Sequence, residues 1–179
     1  MNAQDVISFW FEEIEPAQRF KKDPAFDRII IERFSCLHRS ASRCELYGWR
    51  NSPQGALAEI IVLDQFSRNL FRDSPLAFAS DSLALALAQE LVRRQLDSQL
   101  TVEQRGFAYM PYMHSESAEI HQLALTLFDQ PGLERQLEFE KRHKEIIDRF
   151  GRYPHRNALL GRETSEQELR FLEQPGSSF

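Results

Sequence analysis

Three short polar groups carry most of the side chains in this sequence that are equipped for chemistry. The first is Asp64-Gln65-Phe66-Ser67-Arg68-Asn69, followed by Arg72, and it closes the most apolar stretch of the chain, Leu57 to Leu63. A carboxylate placed there is partly desolvated and stays ionised only beside a cation or several hydrogen-bond donors. Arg68 and Asn69 either satisfy the last carbonyls of a helix, with Asp64 as their internal counter-ion, or hold a ligand. The second group is His114-Ser115-Glu116, with His121 and Gln122 further along. Here His114 is the candidate general acid or base, with Glu116 or Asp64 to orient it, although capping and the helix dipole also account for Ser115 and Glu116. The spacing lacks the H-E-x-x-H form that sets two imidazoles one turn apart, so no metal site is expected.

The third group is the richest in cations. Arg149, Arg152, His155, Arg156, Asn157 and Arg162 occur in a stretch, 149–162, that contains no acid. Gly151 and Gly161 end helical segments there and Pro154 opens one, so guanidinium groups and free N–H groups can converge on an anion. The competing reading pairs these arginines with carboxylates of neighbouring helices and gives them a purely structural task. No phosphate-binding G-x-x-x-x-G-K-[ST], no G-x-G-x-x-G, no nucleophile elbow and no zinc-like cysteine pairs occur, so no cofactor is expected.

The elements that must position these groups are helices. Asn2 caps a helix to about Ile14 with Val6, Phe9, Trp10 and Ile14 on one stripe. Asp23-Pro24 opens a second through Phe26, Ile29, Ile30, Phe34 and Leu37, stopping near Gly48, and Ser52-Pro53 opens a buried one ending around Asn69. Ser74-Pro75 begins a short turn, and Ser80 caps a helix from Asp81 to about Gln95. Thr101 with Gln104 forms a capping box for the next, which contains Pro111. Another runs from Ser115 or Ser117 to Phe128. A longer one after Pro131-Gly132 reaches Phe150 and ends at Gly151 in a left-handed C-cap. Thr164-Ser165 with Gln167 and Glu168 starts a terminal helix, after which the tail from about residue 174 is expected to fray. Phe107, Tyr109, Tyr112, Phe128, Phe139 and Phe150 read as core. The expectation is an all-α fold of about eight helices in antiparallel pairs, one domain over 1–179.

The 179 residues are enough to bury a core without a disulfide or metal staple. A net charge of −5 argues against general nucleic-acid binding, which needs a basic face. The chain has 18 arginines and four lysines, a bias that suits forked recognition of carboxylate or phosphate. Cys36 and Cys44, read as lying in one helix roughly 12 Å apart, are expected to be free thiols. With no leader pattern and no apolar run near the ~20 residues of a membrane span, the expected location is the cytoplasm, with no membrane partner.

The polar groups also carry a likeness. Leu63 through Arg72, Tyr109 through Glu116, and Arg149 through Asn157 with Leu160-Gly161-Arg162, resemble the signature blocks of the bacterial domain-of-unknown-function family 924, from about Val6 to Phe179. Ser67 stands where that pattern has proline. The resemblance implies an all-helical fold in the tetratricopeptide-like superfamily and implies no activity, substrate or cofactor. From the residues, the simplest function is binding of a small anionic molecule or acidic peptide end in a groove, clamped by Arg68, Arg72, Arg152 and Arg156 and oriented by Asn69, His155 and Asn157. The alternatives are a hydrolase-type enzyme with His114 as general acid or base, assisted by Glu116 or Asp64, and a protein-interaction scaffold.

Overall fold

The computed structural model describes residues 1–177, and among them every regular element is helical. We label the helices α1 (3–13), α2 (Pro24–Ser42), α3 (53–70), α4 (Asp81–Arg93), α5 (Val102–Met113), α6 (Ala118–Phe128), α7 (Glu134–Phe150) and α8 (Glu166–Leu172). Single tight turns at Pro16–Phe20, Tyr47–Asn51, Pro75–Phe78, Asp97–Gln99 and Pro154–Arg156 connect them.

Local chemistry sets most of the starts. Asn2 with Asp5, Thr101 with Gln104, and Ser165 with Glu168 form reciprocal capping boxes, while Asp23 and Ser52 cap helices that have proline at the first position. Gly151 ends α7 in the left-handed conformation, φ 66°. Two boundaries differ from expectation. Helix α2 ends at Ser42, not near Gly48, because Cys44 takes φ 58°, so the two cysteines do not share one helix; both are free and exposed. Gln95, also at φ 58°, lies beyond α4, which ends at Arg93, and the Ser80 side chain makes no capping bond. Ser177 is tied back to the Leu172 carbonyl at 3.0 Å, and Ser178 and Phe179 lie outside the described residues.

Helix α3 is the centre of the packing and touches α1, α2, α4 and α5, while α5, α6 and α7 pack on one another in chain order. From Ala56 to Ser67 every residue of α3 is buried, as a helix apolar on all sides requires. Its sides are covered by Val6, Phe9 and Trp10 of α1, Phe26, Ile30, Phe34 and Leu37 of α2, Ala84, Ala88 and Leu91 of α4, and Phe107 of α5. Phe9, Trp10, Phe26, Phe34, Phe66 and Phe107 contact one another edge-on or tilted around the start of the chain. Ile29 and Phe139, read as core, are instead exposed, because Ile30 and the α7 residues Ile146 and Ile147 take the inward faces. A smaller cluster of Ile146, Ile147 and Tyr153, backed by Phe150 and Phe171, fastens the C-terminal segment.

The start of α3 is fixed by a close approach. A Cβ on Gly55 would lie 2.1 Å from the Trp49 carbonyl oxygen and 2.8 Å from Ser52 Oγ. Helix propensity alone would favour alanine over glycine by about 1 kcal/mol, but overpacking against backbone costs about 1–3 kcal/mol and takes the cap with it. Gly55→Ala is therefore expected to lower the thermal midpoint by several degrees; a midpoint that rises would show that the Tyr47–Asn51 turn yields freely.

Candidate functional site

Asp64 is fully buried inside α3, where Val62–Phe66 widen into a single π turn. Such a turn re-phases the side chains that follow it and is common where a helix must aim polar groups. Arg68, one turn on, donates from Nη1 to the Asp64 carbonyl at 2.5 Å and lies 3.3 Å from Asp64 Oδ1. His114 is the C-terminal cap residue of α5, where Pro111 removes one backbone donor from the last turns. Its Nδ1–H donates to Asp64 Oδ1 at 2.7 Å, and Gln65 Nε2 donates to Asp64 Oδ2 at 2.5 Å.

The protonation states follow. Burial by itself would raise the Asp64 carboxyl, but Arg68, His114 and Gln65 outweigh it and hold it well below the usual carboxylate range. An ionised carboxylate only accepts, so the His114 proton sits on Nδ1. Burial, then Arg68, push His114 below its ordinary value against the pull of Asp64, so the ring is neutral at pH 7. Its Nε2 lone pair then remains, with no hydrogen-bond partner among the described residues, where His114 lines a cleft. No serine hydroxyl bonds to it among the described residues, so this is a carboxylate–histidine dyad and not a serine triad.

The cleft has a volume of about 290 Å³. His114, Ser115, Glu116, Asp81, Ser82 and Arg156 supply its polar lining, and its apolar lining includes Phe78, Leu85, Pro111 and Leu160. Arg156 arrives on the Pro154–Arg156 turn, its guanidinium 4.5 Å from the Phe78 ring centre and 4.7 Å from that of Tyr153. Its Nη2 donates to the His114 carbonyl at 3.1 Å and its Nη1 to Asp81 Oδ2 at 3.3 Å. Arg68 grips the same Asp81 with both Nη groups, at 3.1 and 3.2 Å. The three polar groups of the sequence therefore meet. Asp64 and Arg68 come from the first, His114 and Glu116 from the second, and Arg156 from the third.

The other expected site residues are placed elsewhere. Asn69 and Arg72 turn to α2, where Asp27 accepts one bond from Asn69 at 2.8 Å and two from Arg72. Arg152 grips Glu168 of α8 at 2.7 and 2.9 Å, and Asn157 donates to the same carboxylate at 3.3 Å. Glu116 is held by Arg162 at 2.7 and 3.0 Å and by the Tyr153 N–H at 2.8 Å. His155 is half-buried against Tyr153, outside the cleft lining. A single clamp made of Arg68, Arg72, Arg152 and Arg156 is thus not what the geometry brings together.

Sequence reasoning missed Asp81, Phe78 and Tyr153. Asp81 stood at a helix start, where the dipole already explains an acid, and nothing local marked Phe78 as an arginine platform. Among the described residues no three His, Cys, Asp or Glu side chains are grouped to hold a metal ion.

The profile of a bacterial protein family of unknown function, DUF924, matches residues 6–176. A solved structure, that of the protein of unknown function ATU0120 from Agrobacterium tumefaciens, is similar at 39% identity with a TM-score of 0.92, covering 97% of each chain. No curated protein matches the chain.

Four histidines in and around this region are held neutral by burial: His38, His114, His143 at about 3 and His155 at about 4. A depressed folded value means that the unfolded chain binds the extra proton, so the stability is present above pH 6.5 and lost as pH falls toward the folded values. Each such histidine contributes a slope of up to about 1.4 kcal/mol per pH unit. Urea unfolding at pH 7, 6 and 5 should show stability falling by several kcal/mol, about 2 each from His143 and His155, while the salt-bridged carboxylates are still ionised. A flat profile over that range would contradict the assigned neutral states.

Proposed function

The chain belongs to the bacterial family of unknown function DUF924, and we propose that its three polar blocks build an acid–base site in which His114 moves a proton for the hydrolysis of an ester. The observation that carries this reading is the 2.7 Å contact between a fully buried, ionised Asp64 and His114 Nδ1, which leaves a neutral Nε2 at the cleft. In the proposed reaction a water oxygen attacks the carbonyl carbon while its proton passes to Nε2. The carbonyl oxygen becomes anionic and faces Arg156, and Asp64 stabilises the imidazolium. The bond to the leaving oxygen then breaks as that oxygen takes the proton from Nε2, giving acid and alcohol. Asp64 is a positioning residue in this scheme, and Glu116, tied to Arg162 and the Tyr153 amide, fixes the rim.

The wider groove for an anionic ligand or acidic peptide contracts, on this reading, to Arg156, because Asn69, Arg72, Arg152 and Asn157 each have a carboxylate partner. We further propose a place in the tetratricopeptide-like superfamily, which the packing of α5, α6 and α7 in chain order supports, and a reducing, cytoplasmic setting, which the exposed thiols of Cys36 and Cys44 suit. Nucleic acid is an unsuitable partner at a net charge of −5.

Two measurements test the site. Long-range proton–nitrogen spectra at pH 7.5 should show His114 Nε2 as the unprotonated nitrogen and Nδ1 as the protonated one; the opposite tautomer removes the base. Against a panel of short carboxylic esters, His114→Gln should lower turnover by about 10²–10⁴ while the thermal midpoint moves little, since the glutamine amide supplies an N–H to Asp64 in place of Nδ1–H and Nε2 has no hydrogen-bond partner among the described residues. Equal rates in the two proteins would take His114 out of the reaction.

A further inference from the structure

Arg156 is bound more loosely than its neighbours. Arg50, Arg72, Arg152 and Arg162 each grip one carboxylate with two nitrogens, with at least one contact at 2.7 Å or less. Arg156 has a single 3.3 Å contact to Asp81 Oδ2, an oxygen that Arg68 already occupies at 3.2 Å. Its buried Nε meets no acceptor among the described residues, although only 8% of the side chain is exposed. A buried cation with unfilled donors is costly, and here the Phe78 and Tyr153 rings, 4.5 and 4.7 Å from its centre, offset part of that cost. Burial, and Arg68 behind it, also push the guanidinium below its ordinary value, with Asp81 opposing.

The charges around it bear on what completes the arginine. Asp64, Arg68, Asp81 and Arg156 alternate in sign and balance, with Asp81 and Glu116 both in the cleft lining. A dianion such as a phosphate monoester would find no net positive charge there, because Asp81 is gripped by Arg68 and Glu116 by Arg162, with Arg156 loosely paired beside them. A carbonyl oxygen meets no such penalty. It is neutral in the substrate and becomes anionic only during the reaction, when it can take Arg156 Nη1 from Asp81, which Arg68 still grips. Phe78, Leu85 and Leu160 then offer apolar walls for the acyl chain.

We infer that the substrate is a neutral ester of a small apolar carboxylic acid, with its carbonyl oxygen on Arg156, and that the monocarboxylate it yields is retained in the cleft as a product. The ester half of this inference rests on His114 as the base; the carboxylate half rests on Arg156 alone. The test is a thermal-shift and calorimetric titration of the full chain with butyrate, isovalerate and inorganic phosphate at constant ionic strength. The expected result is saturable stabilisation by the two monocarboxylates and none by phosphate. It should persist in His114→Gln and weaken at least tenfold in Arg156→Lys. Leu160→Glu, at an exposed rim position, should weaken it similarly without touching the buried network, so a folding failure of Arg156→Lys leaves the test intact.

Phosphate binding more tightly than the monocarboxylates, or monocarboxylate binding that is unchanged in both rim and arginine variants, overturns the inference. Carboxylate binding with full ester hydrolysis in His114→Gln would keep Arg156 as the anchor and sink the acid–base reading instead.

Discussion

The carboxylate of Asp64 is the constraint around which the functional half of the molecule is arranged. It is ionised and fully buried within α3, whose neighbouring residues are buried on all sides, and a charge in that position persists only if its lone pairs are filled. Gln65, Arg68 and His114 fill them. Each of these drags another element into place. Gln65 reaches Met110 Sδ of α5, His114 fixes the end of α5, and Arg68 extends to Asp81 at the start of α4. Asp81 in turn reaches Arg156, so α3, α4, α5 and the Pro154–Arg156 turn are joined through one chain of alternating charge. Removing one partner of such a chain leaves an uncompensated buried charge, which makes the whole arrangement more rigid than its individual bonds suggest.

A second polar network holds the first from outside. Glu168, at the third position of α8, takes Arg152 and Asn157 and closes the Ser165 capping box, and Arg162 links Asn157 to Glu116. Beneath, His121 Nε2–H donates to the Ser115 carbonyl at 2.9 Å, its Nδ1 lies 2.6 Å from the buried Glu140, and the Tyr153 hydroxyl donates to the Met113 carbonyl. The backbone on both sides of His114 is therefore pinned, and the imidazole has little freedom except the orientation that Asp64 selects. These groups contribute geometry, and their side chains do not need to touch a substrate to matter.

How much of this was legible depends on the range of the interaction. The all-helical class, the capping boxes at Thr101 and Ser165, the proline starts at Pro24 and Pro53 and the stop at Gly151 are signals within four residues, and the folded chain uses them. Boundaries set by a left-handed residue that is not glycine, Cys44 and Gln95, left no mark. Within the site, Asp64, Arg68, His114, Glu116 and Arg156 stood out by type and placement. Asp64 was also legible as a partner for Arg68 and as one of two for His114, but Asp81 as the partner of Arg68 and Arg156, and Arg162 as that of Glu116, were not, because pairing across 13 to 75 residues depends on which helix faces meet. Arginines of the third group illustrate the ambiguity. Arg152 and Arg156 lie four apart, yet one fastens α8 and the other lines the cleft, a difference decided by Gly151 and the turn after it.

Two opposing effects decide what His114 is at neutral pH. A carboxylate at 2.7 Å favours the imidazolium, and in a solvated pair that attraction would keep the ring charged near pH 7. Here the ring is desolvated and Arg68 lies 3.3 Å from the same carboxylate oxygen, Oδ1, sharing its charge, so burial and the arginine outweigh Asp64 and the ring stays neutral. Asp64 pulls toward the imidazolium, while burial first and Arg68 second pull away from it, so the ring keeps the orientation that Asp64 imposes without taking up the charge. The same guanidinium crowds Arg156 through their common partner Asp81, and that crowding keeps Arg156 loosely tied at the cleft. Base strength and an available cation are consequences of one arginine placed between two acids.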